Sequence, residues 1–355
     1  MADAPSAPRG LHPLPGPVLA LDLGGTQIRA ATVLSDGSRI GRSARPTVIG
    51  GGAEALIEAC VQALRDALAA TPDDLRPSIE AIGVSSPGPI DPWRGVVVDA
   101  TNLGPAFRNT PLAAELERRL GLPAYLERDT NVAALAEQAF GAARGCPDFL
   151  YLTVSTGFGG SIVSRGELML GPDGAAGELG HVQIELDGPR CGCGGIGHVE
   201  AICSGHALAR EAQAAIAAGR SPFLAARSRE IGAADLGARE VVAGEDAHDP
   251  ACIDLMTRAR AVFAAACVGY VNTFNPTLIV VGGSIAEHQG ERLFQTARDA
   301  IAIGTFPVQA ARVKIVPATL GPDVSLVGAL PLVALRHGDS AWRANRPEPA
   351  GVAPA

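Results

Sequence analysis

The sequence predicts an α/β protein of two domains built on a duplicated mixed-sheet core. Strand and helix patterns alternate along most of its 355 residues, and 47% of those residues are hydrophobic, which is enough for two separate cores. A strand, a glycine turn and a second strand occur at 18–34 and again at 149–163. This repetition indicates that the architecture is duplicated.

Strands are predicted wherever a short hydrophobic run lies between turn signals. In chain order these runs are Val18–Leu23, Gln27–Leu34, Ile79–Ser85, Phe149–Val154, Ser161–Val163 and Thr277–Val281. The first and fourth runs lead directly into glycine turns, so the strand that follows each of them is predicted to be its hairpin partner.

Helices are predicted from hydrophobic residues three and four positions apart and from start and stop signals. The first helix precedes the turn at Pro72, and its apolar face comprises Leu56, Ile57, Cys60, Val61, Leu64 and Leu68. Thr110 is expected to cap the second helix, with Pro111 at its first position and Gly121 as its stop. The remaining predicted helices are Asn131–Phe140, Ile253–Thr273 and Val324–His337.

Composition excludes several classes of function. A net charge of −8 and a pI near 5.4 argue against a broad nucleic-acid surface. Seven cysteines without a signal-peptide pattern favour a reducing cytoplasm over a disulfide framework. No apolar run approaches the roughly 20 residues of a membrane span. Residues 1–17 and 338–355 are rich in Pro, Ala and Gly and are expected to be disordered tails.

Two imidazoles and two thiols lie close together within residues 178–200. His181, Cys191, Cys193 and His198 form a set of nitrogen and sulfur donors that suits tetrahedral zinc. Four protein ligands would close the coordination shell, which indicates a structural metal. Glycines at 192, 194, 195 and 197 allow the backbone to bend the donors toward one point. The alternative is two buried free cysteines and two ordinary surface histidines.

Three predicted strands lead into glycine turns, whose backbone N–H groups can bind phosphate oxygens. The first, second and third glycine turns are Gly24-Gly25-Thr26, Ser155-Thr156-Gly157 and Gly282-Gly283-Ser284. A single such turn would be explained by the need of a hairpin for glycine. Three of them, with Asp22 ahead of the first, favour a nucleotide site. The G-x-x-x-x-G-K-[ST] pattern is absent from the sequence, so a P-loop enzyme is excluded.

With these turns, G-A-A-G-E-L-G-H at 174–181 and C-G-C-G-G-I-G-H-V-E at 191–200 resemble the ROK family of sugar kinases, repressors and open reading frames. The resemblance runs from Val18 to Ala334. It implies the two-domain actin-like ATPase fold, which is ribonuclease H-like, with a cleft between the domains. The expected domains are 18–127 and 128–323, with the zinc-binding segment 178–200 in the second and helix 324–337 packing back on the first.

The resemblance also implies an activity and its residues. A member of this family phosphorylates a hexose or N-acetylhexosamine with ATP and Mg, contains structural zinc, and is usually a homodimer or homotetramer. Asp129 occupies the position of the catalytic base, although an Asp before a helix is otherwise an N-cap. The residues that match the sugar site are Glu178, His181, Glu200, Gly88 and Asn102. The first two glycine turns would hold the phosphates, the third the adenosine, and Asp22 the Mg.

The sequence departs from the family pattern in three ways. Arg128 stands where an Asn is usual, and it would either point inward and favour an altered or acidic sugar, or point outward into solvent. His198 stands where a third Cys is usual, and imidazole can replace thiolate at zinc. Ser155 and Ser284 stand where glycine is commoner, and their hydroxyls can still donate to phosphate.

The predicted function is phosphorylation of the 6-hydroxyl of a hexose, with glucose as the first candidate and N-acetylmannosamine or another amino sugar as the alternative. A non-catalytic sugar-sensing protein is a second alternative, and polyphosphate is an alternative donor. Repressors of the family carry a helix-turn-helix ahead of the first turn. Only 17 residues precede Val18, so direct reading of DNA is not expected.

Overall fold

A computed structural model describes residues 16–100, 103–339 and 342. The chain forms two compact units. Unit 1 comprises residues 16–147, Ile162–Ala176 and the described residues from Thr319 onward, and unit 2 comprises Asp148–Ser161 and Gly177–Ala318. Nearly all of the predicted tails, 1–17 and 338–355, lie outside the described residues.

The strands are short, as in most α/β proteins. They are β1 Val18–Leu23, β2 Gln27–Val33, β3 Arg39–Pro46, β4 Ile82–Ser86, β5 Ile90–Asp91, β6 Val96–Val97, β7 Ala124–Arg128, β8 Phe149–Val154, β9 Phe158–Ser164, β10 Glu167–Leu168, β11 Leu278–Gly282 and β12 Lys314–Pro317.

The helices vary in length from a single turn to the 25 residues of α8. They are α1 Gly52–Ala69, α2 Leu112–Leu120, α3 Asp129–Phe140, α4 Glu200–Cys203, α5 Gly205–Ala217, α6 Pro222–Ile231, α7 Ala238–Asp246, α8 Pro250–Phe274, α9 Ser284–Gln289, α10 Glu291–Gly304, α11 Pro307–Ala310, α12 Val324–Val327 and α13 Ala329–Arg336. Within the described part of the chain, no helix has both the length and the hydropathy needed to cross a membrane.

The sheet of unit 1 has the strand order β3-β2-β1-β4-β7. The pairs β3-β2 and β2-β1 are antiparallel, whereas β1, β4 and β7 are parallel. Because side chains alternate along β1, Leu19 and Leu21 pack in the cluster that includes α1 and α2, and Val18 and Ala20 pack in the cluster that includes α13. The parallel strands are therefore covered on both faces, as their hydrophobic sequences predict.

The second sheet repeats this pattern with the order β10-β9-β8-β11-β12. Strands β8, β11 and β12 are parallel, and all five residues of β11 are buried. The long helix α8 packs against α7 and α10. The predicted strand Phe149–Val154 is therefore observed with the same bounds, and a mixed sheet occurs twice.

The observed units differ from the expected domains 18–127 and 128–323. Residues 128–147 lie in unit 1 because β7 pairs with β4 and α3 continues from the end of β7 without a loop. The sequence pattern predicts no strand at β7, and the expected boundary between the two domains falls near the end of this strand. Packing on unit 1 is observed for α12 and α13, as expected for 324–337.

Two local predictions are wrong. Thr110 does not cap α2, because its hydroxyl donates to the carbonyl of Phe107 over 2.9 Å and Pro111 occupies the N-cap position. The predicted helix 324–337 is divided at Gly328, where a side chain would lie 2.1 Å from the carbonyl oxygen of Val132. The stop of α2 at Gly121 is confirmed, since that residue is left-handed with φ of 72°.

Candidate active site and metal centre

Three parallel strands of unit 1 end at one edge of the sheet. Asp22 of β1 is opposite Ser85 of β4, and Ser86 is opposite Arg128 of β7. Ligands of α/β sheets bind at the carboxyl ends of parallel strands. The topology therefore brings Asp22 and the Arg128-Asp129 pair, predicted from separate parts of the sequence, to the same edge.

Asp129 is an exposed carboxylate at the start of α3. It is the first residue of the helix, whereas Arg128 is the N-cap, so capping does not account for an Asp at this position. Asp129 Oδ1 accepts a hydrogen bond from the backbone N–H of Thr130 over 2.7 Å. The residue thus presents a carboxylate in an exposed position, as a proton acceptor requires.

Arg128 points into the protein. Its side chain is buried, with 3% exposure, and Nη2 donates to the carbonyl of Ala176 over 2.6 Å. A side chain at Gly88 would lie 3.1 Å from Arg128 Cδ, so the stem of the arginine packs on Gly88. The outward alternative is therefore wrong, and the side chain lies beside two segments that the family resemblance assigns to sugar binding, its stem on Gly88 and its guanidinium on Ala176.

The buried carboxylate of Glu127 holds the backbone at Arg128, next to Asp129. Glu127 is fully buried, and its Oε1 accepts hydrogen bonds from the backbone N–H of Arg128 over 2.9 Å and from Asn131 over 3.0 Å. Its Oε2 accepts from Arg336, which is also buried and donates to the carbonyl of Leu126 over 2.7 Å. This network fixes the end of β7 and the first turn of α3.

The first glycine turn joins β1 to β2, as predicted. The N–H of Gly24 donates to the carbonyl of Gln27 over 3.0 Å, and the hydroxyl of Thr47 donates to the carbonyl of Gly24 over 2.7 Å. Asp22 Oδ2 accepts from Arg29 Nη2 over 2.6 Å, across the β1-β2 pair. Oδ1 is then the oxygen of Asp22 that could bind a magnesium-bound water.

The second and third glycine turns follow the neighbouring parallel strands β8 and β11. The hydroxyls of Ser155 and Ser284 form a hydrogen bond of 3.1 Å, which links the two turns. Ser284 is also the first residue of α9. The two serines that replace glycine therefore contact each other, so they are a matched pair rather than two independent departures.

The four predicted metal ligands are brought together in unit 2. The donor atoms of His181, Cys191, Cys193 and His198 all lie within 4.8 Å of one another. Cys191 Sγ lies 3.7 Å from His181 Nδ1, and Cys193 Sγ lies 3.3 Å from His198 Nδ1. Zinc bond lengths of about 2.0–2.3 Å place donors in a tetrahedron at comparable separations. The donor set therefore fits zinc, whereas scattered thiols and surface histidines would not converge.

Packing against the rest of unit 2 fixes this cluster. A side chain at Gly197, where φ is 65°, would lie 1.6 Å from the carbonyl oxygen of Glu185, so only glycine fits. Glu185 pairs with Arg258 of α8 over 2.6 Å, and Tyr270 of α8 donates to the carbonyl of Leu179 over 2.5 Å. Burial raises the pKa of the Cys191 thiol to about 11, so a bound metal would displace its proton.

We expect freshly purified protein to contain about one zinc ion per chain, because four donors converge on one point. Cys193→Ser should lose most of this zinc, since serine is a poor zinc ligand. Cys146→Ser, which changes a cysteine outside the cluster, should retain it. Metal analysis by mass spectrometry checks both variants, and zinc-free wild-type protein would contradict the assignment.

Two carboxylates that the family resemblance assigns to the sugar site, Glu178 and Glu200, lie next to this cluster, and His181 belongs to it. His181 Nε2 is 3.9 Å from Glu178 Oε2, so this ring presents one nitrogen to the thiols and the other to a carboxylate. Glu200 Oε1 is 3.7 Å from Cys191 Sγ, and Oε2 accepts from the backbone N–H of Phe158 over 2.9 Å. Asn102, also assigned to the sugar site, lies outside the described residues.

Several residues of these sites were not predicted. Glu127, Arg336 and Tyr270 carry no local motif, and their partners are far away in sequence. The pairing of Asp22 with Arg29 had a usable signal, because the hairpin register of β1 and β2 places them opposite each other. The register follows from a two-residue turn, Gly25-Thr26, which is closed by the hydrogen bond from the N–H of Gly24 to the carbonyl of Gln27.

The ROK family model matches residues 18–336, nearly the whole described chain. This chain belongs to the ROK family. The family resemblance of the sequence is thereby confirmed, and so is the predicted mixed-sheet α/β fold of the actin-like ATPases.

Among ROK relatives, the glucokinase of Thermotoga maritima is 32% identical over 321 residues, which cover 90% of this chain and 98% of the relative. An N-acetylmannosamine kinase of Shigella flexneri is 34% identical over 274 residues, covering 77% of this chain and 84% of the relative. The crystal structure of a ROK family glucokinase from Streptomyces griseus in complex with glucose and AMPPNP is 30% identical, has a TM-score of 0.74, and covers 89% of this chain and 99% of that chain.

Proposed function

We propose that this ROK protein is a sugar kinase that transfers the γ-phosphate of ATP to the 6-hydroxyl of a hexose. The observation that carries the proposal is the exposed carboxylate of Asp129 at the N-terminus of α3. The end-to-end match with glucokinases supports it. A sensor that only binds sugar would have no need for a proton acceptor.

In this proposal Asp129 accepts the proton of the sugar 6-hydroxyl as that oxygen attacks the γ-phosphate. Phosphoryl transfer passes through a loose transition state, so orientation contributes more than full deprotonation of the hydroxyl. The Glu127 network holds the backbone N–H of Arg128 and the side-chain amide of Asn131. Asp129 is thus held between two anchored residues, which limits its orientations.

Carboxylates suit the recognition of sugars because each accepts hydrogen bonds from more than one hydroxyl. Glu178, Glu200 and His181 Nε2 are proposed to bind sugar hydroxyls, and the first two glycine turns to bind phosphates through their N–H groups. Magnesium, when bound near Asp22, neutralises the charge of the phosphates. Zinc, held by His181, Cys191, Cys193 and His198, stabilises the segment that carries these sugar ligands.

Glucose is the proposed substrate, since glucokinases cover nearly all of this chain. N-acetylmannosamine is the second candidate, because kinases of that sugar are 34% identical to this chain. Arg128 is proposed to lie beside the sugar, because its guanidinium donates to the carbonyl of Ala176, two residues before Glu178.

The test is a coupled assay of ADP release from Mg-ATP with a panel of hexoses, N-acetylhexosamines and acidic sugars. We expect turnover with one hexose, and glucose is the first candidate. Greater turnover with N-acetylmannosamine would replace glucose by the amino sugar. If no sugar releases ADP from ATP and none forms a sugar phosphate with polyphosphate, the kinase assignment is contradicted.

A further inference from the structure

The second glycine turn is held by the chain that follows the metal cluster. Backbone N–H groups of Gly205 and His206 donate to carbonyls of this turn over 2.8 and 3.1 Å. The side chain of Glu200 makes the third contact: its Oε2 accepts a hydrogen bond from the backbone N–H of Phe158 over 2.9 Å. The carboxylate also packs on the turn itself, since a side chain at Gly157 would lie 2.8 Å from this oxygen.

The same carboxylate reaches the metal cluster with its other oxygen. Glu200 Oε1 lies 3.7 Å from Cys191 Sγ. His198, another member of the cluster, precedes Glu200 by two residues, and its carbonyl accepts from the N–H of Ala201 over 3.0 Å. Glu200 therefore joins the cluster on one side to the second glycine turn on the other.

We propose that Glu200 is a positioning residue that couples metal binding at the His181, Cys191, Cys193 and His198 cluster to nucleotide binding at the second glycine turn. This inference rests on the proposed function, in which that turn binds phosphate. A hydrogen bond to an ionised carboxylate is stronger than one between neutral groups, so it can fix the peptide between Gly157 and Phe158. Groups that contact the ligands of a metal site orient those ligands and change the affinity for the metal.

The coupling between metal binding and nucleotide binding should be positive. With the cluster occupied, Cys191 and His198 are held and Glu200 keeps the turn in one orientation, so less conformational freedom is lost when phosphate binds. When the metal is removed from the cluster, the backbone on both sides of Glu200 gains conformational freedom. The second glycine turn then gains conformational freedom as well. Metal and nucleotide should therefore bind more tightly together than apart, and the coupling is reciprocal.

The first arm of the test measures the affinity for Mg-AMPPNP by calorimetry, without sugar, in the zinc-loaded full-length protein. Glu200→Ala should weaken binding about tenfold, as expected for the loss of one hydrogen bond to a charged group. Glu200→Gln should retain most of the affinity, because its amide oxygen still accepts from Phe158. Glu211→Ala, which removes a carboxylate of α5 that pairs with Arg210, is the matched control and should bind like the wild type.

The second arm removes zinc with a chelator while circular dichroism monitors the fold. Chelation should weaken nucleotide binding in the wild type and have no further effect in Glu200→Ala, since the link is already broken. Equal weakening in both proteins would overturn the coupling. If Glu200→Ala binds AMPPNP like the wild type, this inference is wrong and the proposed function stands. If the wild type binds no nucleotide, both are wrong.

Discussion

Asp129→Asn lowers the turnover number for sugar phosphorylation by about 10²- to 10⁴-fold, the usual contribution of a positioned general base. Asparagine has the same shape, and its side-chain oxygen can still accept from the N–H of Thr130. The affinities for sugar and nucleotide should therefore change little. The coupled ADP assay gives the turnover number, and calorimetry gives the two affinities.

Two controls separate the loss of the base from a loss of structure. The variant should unfold at the same denaturant concentration as the wild type, because Asp129 is exposed. Asp36→Asn removes another exposed carboxylate of unit 1, in a turn where it accepts from the N–H of Ser38 over 2.8 Å, and it should leave turnover unchanged. Full turnover in Asp129→Asn would show that another group accepts the proton.

Arg336→Met lowers the free energy of unfolding by about 3–5 kcal/mol, because it leaves the charge of Glu127 buried without its cation. The side chains of Arg336 and Glu127 are 2% and 0% exposed. Burial lowers the pKa of Arg336, and the carboxylate of Glu127 opposes that shift, so each charge depends on the other. Urea unfolding checks the prediction as a shift of the midpoint with an unchanged slope.

Arg45→Met is the matched control for this buried pair. Arg45 and Asp66 form an ion pair of 2.6 Å, but their side chains are 40% and 37% exposed, so solvent screens the interaction. Its loss should cost about 1 kcal/mol or less. A second change, Glu127→Gln, should recover part of the stability of Arg336→Met, since it removes the unpaired charge. Equal losses in Arg336→Met and Arg45→Met would contradict the role assigned to the buried pair.

Local patterns were sufficient for two buried strands and for the cluster of histidines and cysteines. The bounds of Val18–Leu23 and Phe149–Val154 are observed as predicted, because a buried strand between turns has a hydrophobic run of its own length. The convergence of the four candidate metal ligands could be predicted for a similar reason. All four lie between residues 181 and 198, and their spacing by glycines is itself unusual.

Contacts between distant residues could not be predicted in this way. Ser155 and Ser284 are 129 residues apart, and the sequence alone presents them as two separate departures from glycine. Their hydrogen bond depends on β8 and β11 being neighbours in the sheet. A hydrophobic pattern shows that a strand is buried but does not identify the strand beside it.

The sequence by itself determined the fold class, the family and the chemical groups available for function, because these follow from local periodicity, glycine turns and donor types. Tertiary structure alone decided how those groups are held. It buried Arg128 over Gly88, placed Glu127 and Arg336 behind Asp129, and set Glu200 between the metal cluster and the second glycine turn. Orientation depends on which elements pack together, and that is a property of the whole chain.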